Sequence, residues 1–198
     1  MITLCMDTSH IMLALGLIED DHVAASVQKE CWKRQSEEIF PCLIEMMNQT
    51  GHKPDDIDQI VISEGPGSYT GVRIAMTVAK VFCAMKEVPL YTIGTLNLYA
   101  GLNNCRVAID ARGKRVYTCA FRDGEAVEEQ RAEYCEVLKA SMTDELIIGD
   151  GHLVGAEDRY PDIIQNFLLL KKFWKKAENV HLVVPEYLKS ADAYFVKK

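Results

Sequence analysis

A chain of 198 residues, 48% of them hydrophobic, carries enough apolar side chain for one large core or two small ones. Its formal net charge of −7 argues against a nucleic-acid-binding module acting alone, because such affinity rests on basic groups that neutralise phosphates. The longest apolar run, Ile11 to Ile18, is interrupted by Gly16 and falls short of the roughly 18 residues a membrane span needs, and no basic region precedes an apolar core at the N-terminus, so neither a membrane anchor nor a secretory signal is expected. Cys5, Cys31, Cys42, Cys83, Cys105, Cys119 and Cys135 are scattered, odd in number and free of any C-x-x-C pair, which points to reduced, mostly buried thiols of a cytoplasmic protein.

In chain order, residues 2 to 6 and 11 to 18 are apolar, strand-like runs joined by Asp7-Thr8-Ser9-His10, a hairpin with an Asp-Thr-Ser tip. A further turn follows at Glu19-Asp20-Asp21. Residues 36 to 50 carry Ile39, Phe40, Leu43, Ile44, Met46 and Met47 at helical spacing, ended by Gly51 and Pro54. Gln59-Ile60-Val61-Ile62 reads as a strand, and Val72, Ile74, Val78, Val81, Phe82 and Met85 as a helix over 70 to 86. A short strand over 90 to 93 and a helix-compatible stretch over 95 to 101 complete the first half.

Between that strand and helix lies Ser63-Glu64-Gly65-Pro66-Gly67-Ser68-Tyr69-Thr70-Gly71-Val72-Arg73. Glycines at a helix N-terminus place unpaired N–H groups and the helix dipole where an anion can bind. The loop is neither of the common phosphate signatures: Gly71 is followed by Val72 rather than lysine, and Gly65, Gly67 and Gly71 are one residue too widely spaced for a dinucleotide fingerprint. The competing reading is a tight turn in which glycine supplies positive φ and close packing.

Sliding the chain by 103 positions lays Cys105 to Gly113 over Ile2 to His10, with Asp110 on Asp7, Val116 to Phe121 on Leu13 to Ile18, and no gap. A second echo pairs Ile60-Val61-Ile62-Ser63-Glu64-Gly65 with Leu146-Ile147-Ile148-Gly149-Asp150-Gly151. Two copies of one unit are the natural inference, 1–102 and 103–198, the second leaving only about 50 residues after Gly149, and two generic strand-turn-strand units of slight identity are the alternative.

Two βββαβα-like halves facing a shared cleft resemble the α/β actin-like ATPase and sugar-kinase superfold (RNase H-like), here as an internal duplication with a reduced second lobe. The glycine loop Glu64 to Ile74, the Asp7-Thr8-Ser9 tip, Asp110-Ala111-Arg112 with Val116-Tyr117, and the tail Pro185-Glu186-Tyr187-Leu188-Lys189 together resemble the TsaB (YeaZ) family, from residue 1 to about 155 and again from 185. The resemblance implies a non-catalytic subunit that pairs with the catalytic paralogue TsaD, which transfers a threonylcarbamoyl group to an adenosine beside the tRNA anticodon. The ATPase TsaE docks on that pair, tRNA is met only through the complex, and the same face can form a homodimer. Within the family the two apolar helices make the TsaD interface, which implies Ile39, Leu43, Met46, Met47, Ile74, Val78, Val81 and Phe82 here. No catalytic residue and no metal site is expected: His10, His22, His52, His152 and His181 are isolated in sequence, and Gln35 stands where many relatives have histidine.

Asp7, Thr8, Ser9, Gly65, Gly67, Ser68, Thr70, Asp110, Gly149 and Gly151 are the candidate lining of a vestigial or weak nucleotide cleft. No cofactor is required, and Mg-ATP or Mg-ADP binding is expected to be weak or absent, Glu64 placing a carboxylate where relatives often carry arginine. The rival reading is an autonomous actin-fold phosphotransferase or ATPase using these groups around Mg²⁺; against it, aspartates in tight turns commonly make Asx hydrogen bonds. A peptidase, the historical label of the superfamily, lacks any G-x-S-x-G or H-E-x-x-H. Lys171-Lys172-Phe173-Trp174-Lys175-Lys176 is either a stacking platform for a phosphate backbone or a solvated helix end.

Overall fold

The computed structural model describes residues 1–31, 33–142 and 144–188. The first lobe opens with strands β1 (Ile2–Asp7), β2 (Met12–Glu19) and β3 (His22–Glu30). Helix α1 (Gln35–Thr50), β4 (Gln59–Ser63), α2 (Tyr69–Lys86), β5 (Leu90–Ile93) and α3 (Thr95–Ala100) follow. The second lobe holds β6 (Cys105–Asp110), β7 (Arg115–Arg122), β8 (Glu125–Ala126), β9 (Arg131–Tyr134), α4 (Cys135–Ser141) and β10 (Ile147–Gly149). Helix α5 (Ile163–Leu169) and β11 (Lys175–Lys176) lead back to the first lobe.

The first sheet runs β11-β5-β4-β1-β2-β3, with β1, β4 and β5 parallel and the β1-β2-β3 meander antiparallel. β1 and β4 are buried on both faces, which is why they read as unbroken apolar runs. β3 lies at the sheet edge with most side chains exposed, so its sequence shows no apolar run and the residue-level reading passes over it. The second sheet follows the same plan, β10-β6-β7-β8, with β9 also on β7.

Ladder registers correct the internal repeat in detail. Asp7 pairs with Ala14 but Asp110 with Val116, so the second hairpin tip is one residue shorter and Val116 corresponds to Ala14, not Leu13. In the parallel pairs, Thr3 lies opposite Gln59 and Arg106 opposite Ile147, so Ile147 corresponds to Gln59 rather than Val61. That second shift is by two residues, which keeps every side chain on its original face of the sheet; the hydrophobic pattern is blind to it.

Three cores result. One lies between the sheets, where Leu96, Tyr99, Ile164 and Phe167 from α3 and α5 meet Cys5, Val61, Val107 and Tyr117. A second lies between the outer face of the first sheet and α1 and α2, built on Leu4, Met6, Ile60, Ile39, Met46, Val72 and Ala79. A small third one, with Ala108, Val116, Leu138 and Ile147, sits under α4. Burial pushes the Cys83, Cys105 and Cys119 thiols up to about 11, so all three are protonated and unreactive near neutrality.

The boundary at residue 102 does not make the rest of the chain a self-contained lobe. β11 adds antiparallel to β5, Ala177 N–H donates to Leu90 O (2.9 Å), and Glu186 N–H donates to Glu64 O (2.7 Å), so the segment from Lys175 to Leu188 straps the first lobe. Lys189 lies outside the described residues. The lysine-rich stretch is part of this strap rather than an open platform: Phe173 and Trp174 pack on the inter-sheet core, Lys171 pairs with Asp21 (2.8 Å) and Lys175 with Glu64 (3.1 Å). Among the described residues no helix is long and apolar enough to cross a membrane.

Candidate functional site

The Asp-Thr-Ser tip and the glycine loop are seated on each other. Asp7, fully buried, accepts at Oδ1 from Ser9 N–H (3.0 Å) and from the Ser63 hydroxyl, an Asx turn fixed to the next strand. Thr8 Oγ1 donates to Gly71 O (2.7 Å) and accepts from Ala75 N–H (3.1 Å), while Ser68 N–H donates to Ser9 O (2.7 Å). A Cβ on Gly67 would lie 2.4 Å from Ser9 O, and one on Gly71 2.3 Å from Thr8 O. Gly65, at φ +112°, turns the chain under the strap, where a Cβ would meet Glu186 O at 2.5 Å. Gly71 N–H is taken by the Ser68 side chain, which caps α2. The glycines therefore serve backbone-to-backbone approach, and two of the loop's donors, Ser68 N–H and Gly71 N–H, are spent within the protein.

Of the expected cleft residues, Gly67, Ser68 and Asp110 line the interlobe cavity of about 550 Å³. Thr70 instead lines the groove between α1 and α2. Gly149 and Gly151 are packed against Ala108 O and Glu157 O and leave only the intervening Asp150 in the cavity. Asp110 holds its own turn, accepting from Arg112 N–H and from the Arg112 guanidinium, both at 2.7 Å.

A pair that sequence reading treats as unrelated closes the cleft floor. His10, from the first hairpin, places Nε2 2.8 Å from Asp150 Oδ2, across 140 residues of sequence. The same carboxylate accepts from Asp110 N–H (2.6 Å) and, at Oδ1, from the Tyr160 hydroxyl (2.5 Å). Gln35 fixes the other side of His10 by donating Nε2–H to its carbonyl at 2.8 Å, so the glutamine that departs from the resembled family has a structural post. Burial drives the Asp150 carboxyl upward, but its bonds and charge interaction with His10, with those from Tyr160 and Asp110, outweigh that and hold it below the usual carboxylate range. Burial and the bond to Asp150 push the Tyr160 hydroxyl far up, so it stays a donor.

Removing Asp150 strands a buried imidazole N–H and a hydroxyl. Asp150→Ala should cost about 3 kcal/mol in chemical denaturation at pH 7. Because the folded-state pKa is depressed, this stabilisation is complete above the unfolded value of about 4 and is lost as pH falls through the lower folded value. The gap between the variant's acid unfolding curve and the parent's should therefore narrow as pH falls below about 4, and a difference that stays constant to lower pH would disprove the assignment.

On the outer side, α1 and α2 frame an apolar groove of about 630 Å³ lined by Phe40, Ile74, Val78, Val81, Phe82 and Met85, with Ile39 at its floor. Phe40 is 56% exposed, Ile44 62%, Val81 54% and Met85 76%. Of the residues expected at the interface, Ile39 and Met46 are buried in the core, and Phe40 and Ile44, outside that expected set, stand on the surface. Leu43, Met47, Ile74, Val78 and Phe82 are half-buried against the same core, and Val81 is open. At one end of the groove the Arg73 guanidinium lies 4.0 Å over Tyr69, whose ring stacks on Tyr187 of the strap at 5.3 Å.

Residues 24–148 match the TsaD family, tRNA N6-adenosine threonylcarbamoyltransferase. The tRNA threonylcarbamoyladenosine biosynthesis protein TsaB of Bacillus subtilis (strain 168) is 28% identical, with 98% of this chain and 96% of that protein aligned. The protein of the same name from Escherichia coli (strain K12) is also 28% identical, over 72% of this chain and 64% of its own. A crystal structure from Pseudomonas aeruginosa, described as an uncharacterized protein with similarity to peptidase YeaZ, superposes with a TM-score of 0.76 over 95% of this chain and 99% of its own, at 20% identity, and shows the shared actin-like fold. With the duplicated sheets, the tip, the loop and the two-helix face in place, the chain belongs to the tRNA N6-adenosine threonylcarbamoyltransferase family and, within it, to the TsaB (YeaZ) group.

Proposed function

We propose that this protein is the non-catalytic pairing subunit of a threonylcarbamoyladenosine-forming complex, holding the catalytic paralogue TsaD through the α1–α2 face. The observation that carries this reading is the open apolar groove with Phe40, Val81 and Met85 exposed along it, more than a lone surface residue and of the kind that marks a protein interface. Methionine at its edge suits a surface that adapts to its partner. The cleft supports a silent subunit in that two donors of the glycine loop, Ser68 N–H and Gly71 N–H, go to Ser9 and Ser68 rather than to a phosphate. On this reading the protein works in the cytoplasm, needs no cofactor of its own, meets tRNA only within the complex, offers the assembled pair to the ATPase TsaE, and self-associates through the same face when alone.

Light scattering after size exclusion, on the chain alone and mixed with the TsaD paralogue of the same organism, tests this. A heterodimer formed at the expense of any homodimer is the expected result. Two independent peaks, with or without Mg-ATP, would end the pairing reading and return attention to the cleft as the seat of an independent activity.

A further inference from the structure

The groove between α1 and α2 carries a single charge. Arg73 is the one charged side chain lining it among the described residues, and no carboxylate there lies within ion-pair distance of its guanidinium. The group is held in place all the same. Its Nε donates to the Tyr187 hydroxyl at 2.8 Å, its plane lies 4.0 Å over the Tyr69 ring, and that ring is stacked on Tyr187 at 5.3 Å. Nε is only one of the guanidinium's N–H donors, and no carboxylate takes the others. Ring and strap therefore restrict the side chain before any partner arrives, which lowers the entropy that binding has to remove.

A surface that covers the groove takes Arg73 out of water with it. A charge desolvated without a counter-charge opposes association, so a wholly apolar cover is disfavoured and one that brings an acid is favoured. The planar fork of a guanidinium matches the two oxygens of a carboxylate. A second copy of this chain does not meet that need. Across a two-fold axis groove faces groove, which sets Arg73 against a lining that contains no acid. Glu37 and Glu38 at the start of α1 are both already paired with Arg34, at 3.4 and 2.6 Å.

We propose that Arg73 is the specificity residue of this face: the groove takes an apolar surface of a different protein that presents one carboxylate at the Tyr69 end, and the ion pair formed there places that partner above a second copy of this chain. The inference rests on the pairing reading given above and adds to it what the paralogue has to present.

Titration calorimetry of the parent, Arg73→Gln and Arg73→Lys chains against the TsaD paralogue of the same organism, at about 0.15 M salt where diffuse attraction is screened, tests it. Arg73→Gln should weaken pairing about 30-fold or more and Arg73→Lys by less, while any self-association, followed by sedimentation, stays at the parental level. Lys80→Gln removes the bonds from Lys80 Nζ to the strap carbonyls of His181 and Val183, both 2.9 Å, without touching Arg73. It should pair within about threefold of the parent. Single Asp→Asn and Glu→Gln substitutions in the paralogue then locate the counter-charge: one of them should weaken pairing with the parent and have no further effect on Arg73→Gln. Near-parental affinity in Arg73→Gln, as large a loss in Lys80→Gln, or the absence of any coupled carboxylate would overturn this inference and leave the pairing reading standing. A parent chain that does not bind the paralogue at all overturns both.

Discussion

Val81→Asp should raise the dissociation constant for the catalytic paralogue at least about 100-fold, equivalent to roughly 2.7 kcal/mol. Val81 is 54% exposed on α2 and lines the groove. In the free chain an aspartate there stays in water; in a complex that covers the groove it becomes an unpaired carboxylate among apolar side chains, a change that costs several kcal/mol. Met47 and Val78 are poorer sites for the same experiment because both are packed on the core beneath, and a charge there confounds unfolding with lost pairing. Titration calorimetry alongside thermal unfolding separates the two effects. Pairing at parental affinity by a normally folded Val81→Asp would remove α2 from the interface.

Gly71→Ala should lower the melting temperature by about 4–8 °C, although alanine is the better helix former. Gly71 lies in the first turn of α2, and its replacement gains up to about 1 kcal/mol of helix propensity. Against that, the added Cβ would sit 2.3 Å from the backbone carbonyl of Thr8, which cannot rotate away as a side chain would. Separating loop and tip strains the Thr8 and Ser68 hydrogen bonds that join them, and overpacking of this kind costs about 3 kcal/mol or more. For a chain of this size each net kcal/mol moves the midpoint by about 2–4 °C. A melting temperature equal to or above the parent's would show that the tip gives way easily and that the glycine is there for another reason.

Much of the scaffold is legible in the sequence for a simple reason. β1, β2 and β4 are buried almost throughout, so each is a continuous apolar run, while the helices carry 3.6-residue patterns ended by Gly51 or capped by Ser68. The edge strand β3 lacks such a signal, whereas α5 has one that the reading passes over, a capping Asp162 ahead of Ile163, Ile164 and Phe167. The facing of α1 misleads for a narrower reason. Its buried stripe is Ile39, Cys42 and Met46, so two of the residues expected at the interface, Ile39 and Met46, face inward. Free cysteine packs as a small hydrophobe, and Cys42 completes that stripe.

The cleft was legible by half. Turn-forming Asp, Thr, Ser and Gly mark both the tip and the loop, but a sequence does not say whether glycine makes room for a phosphate or for another stretch of backbone. Here the nearest atoms to Gly67 and Gly71 are carbonyls of the tip. The His10–Asp150 pair leaves no periodic trace at all, because its partners come from different sheets; the acidic residue between Gly149 and Gly151 was the available hint.

The returning strap also sets an order of assembly. β5 gains its outer neighbour from Lys175–Lys176, and the carbonyl of Glu64 and the guanidinium of Arg73 find partners at Glu186 and Tyr187. During synthesis the first lobe is thus translated some 80 residues before the piece that covers its sheet edge. Until then β5 presents unpaired backbone groups next to a half-covered core, the condition in which strand edges recruit one another. A first lobe made before the strap therefore carries an open edge at β5, and that edge is covered once Lys175–Lys176 pairs with it.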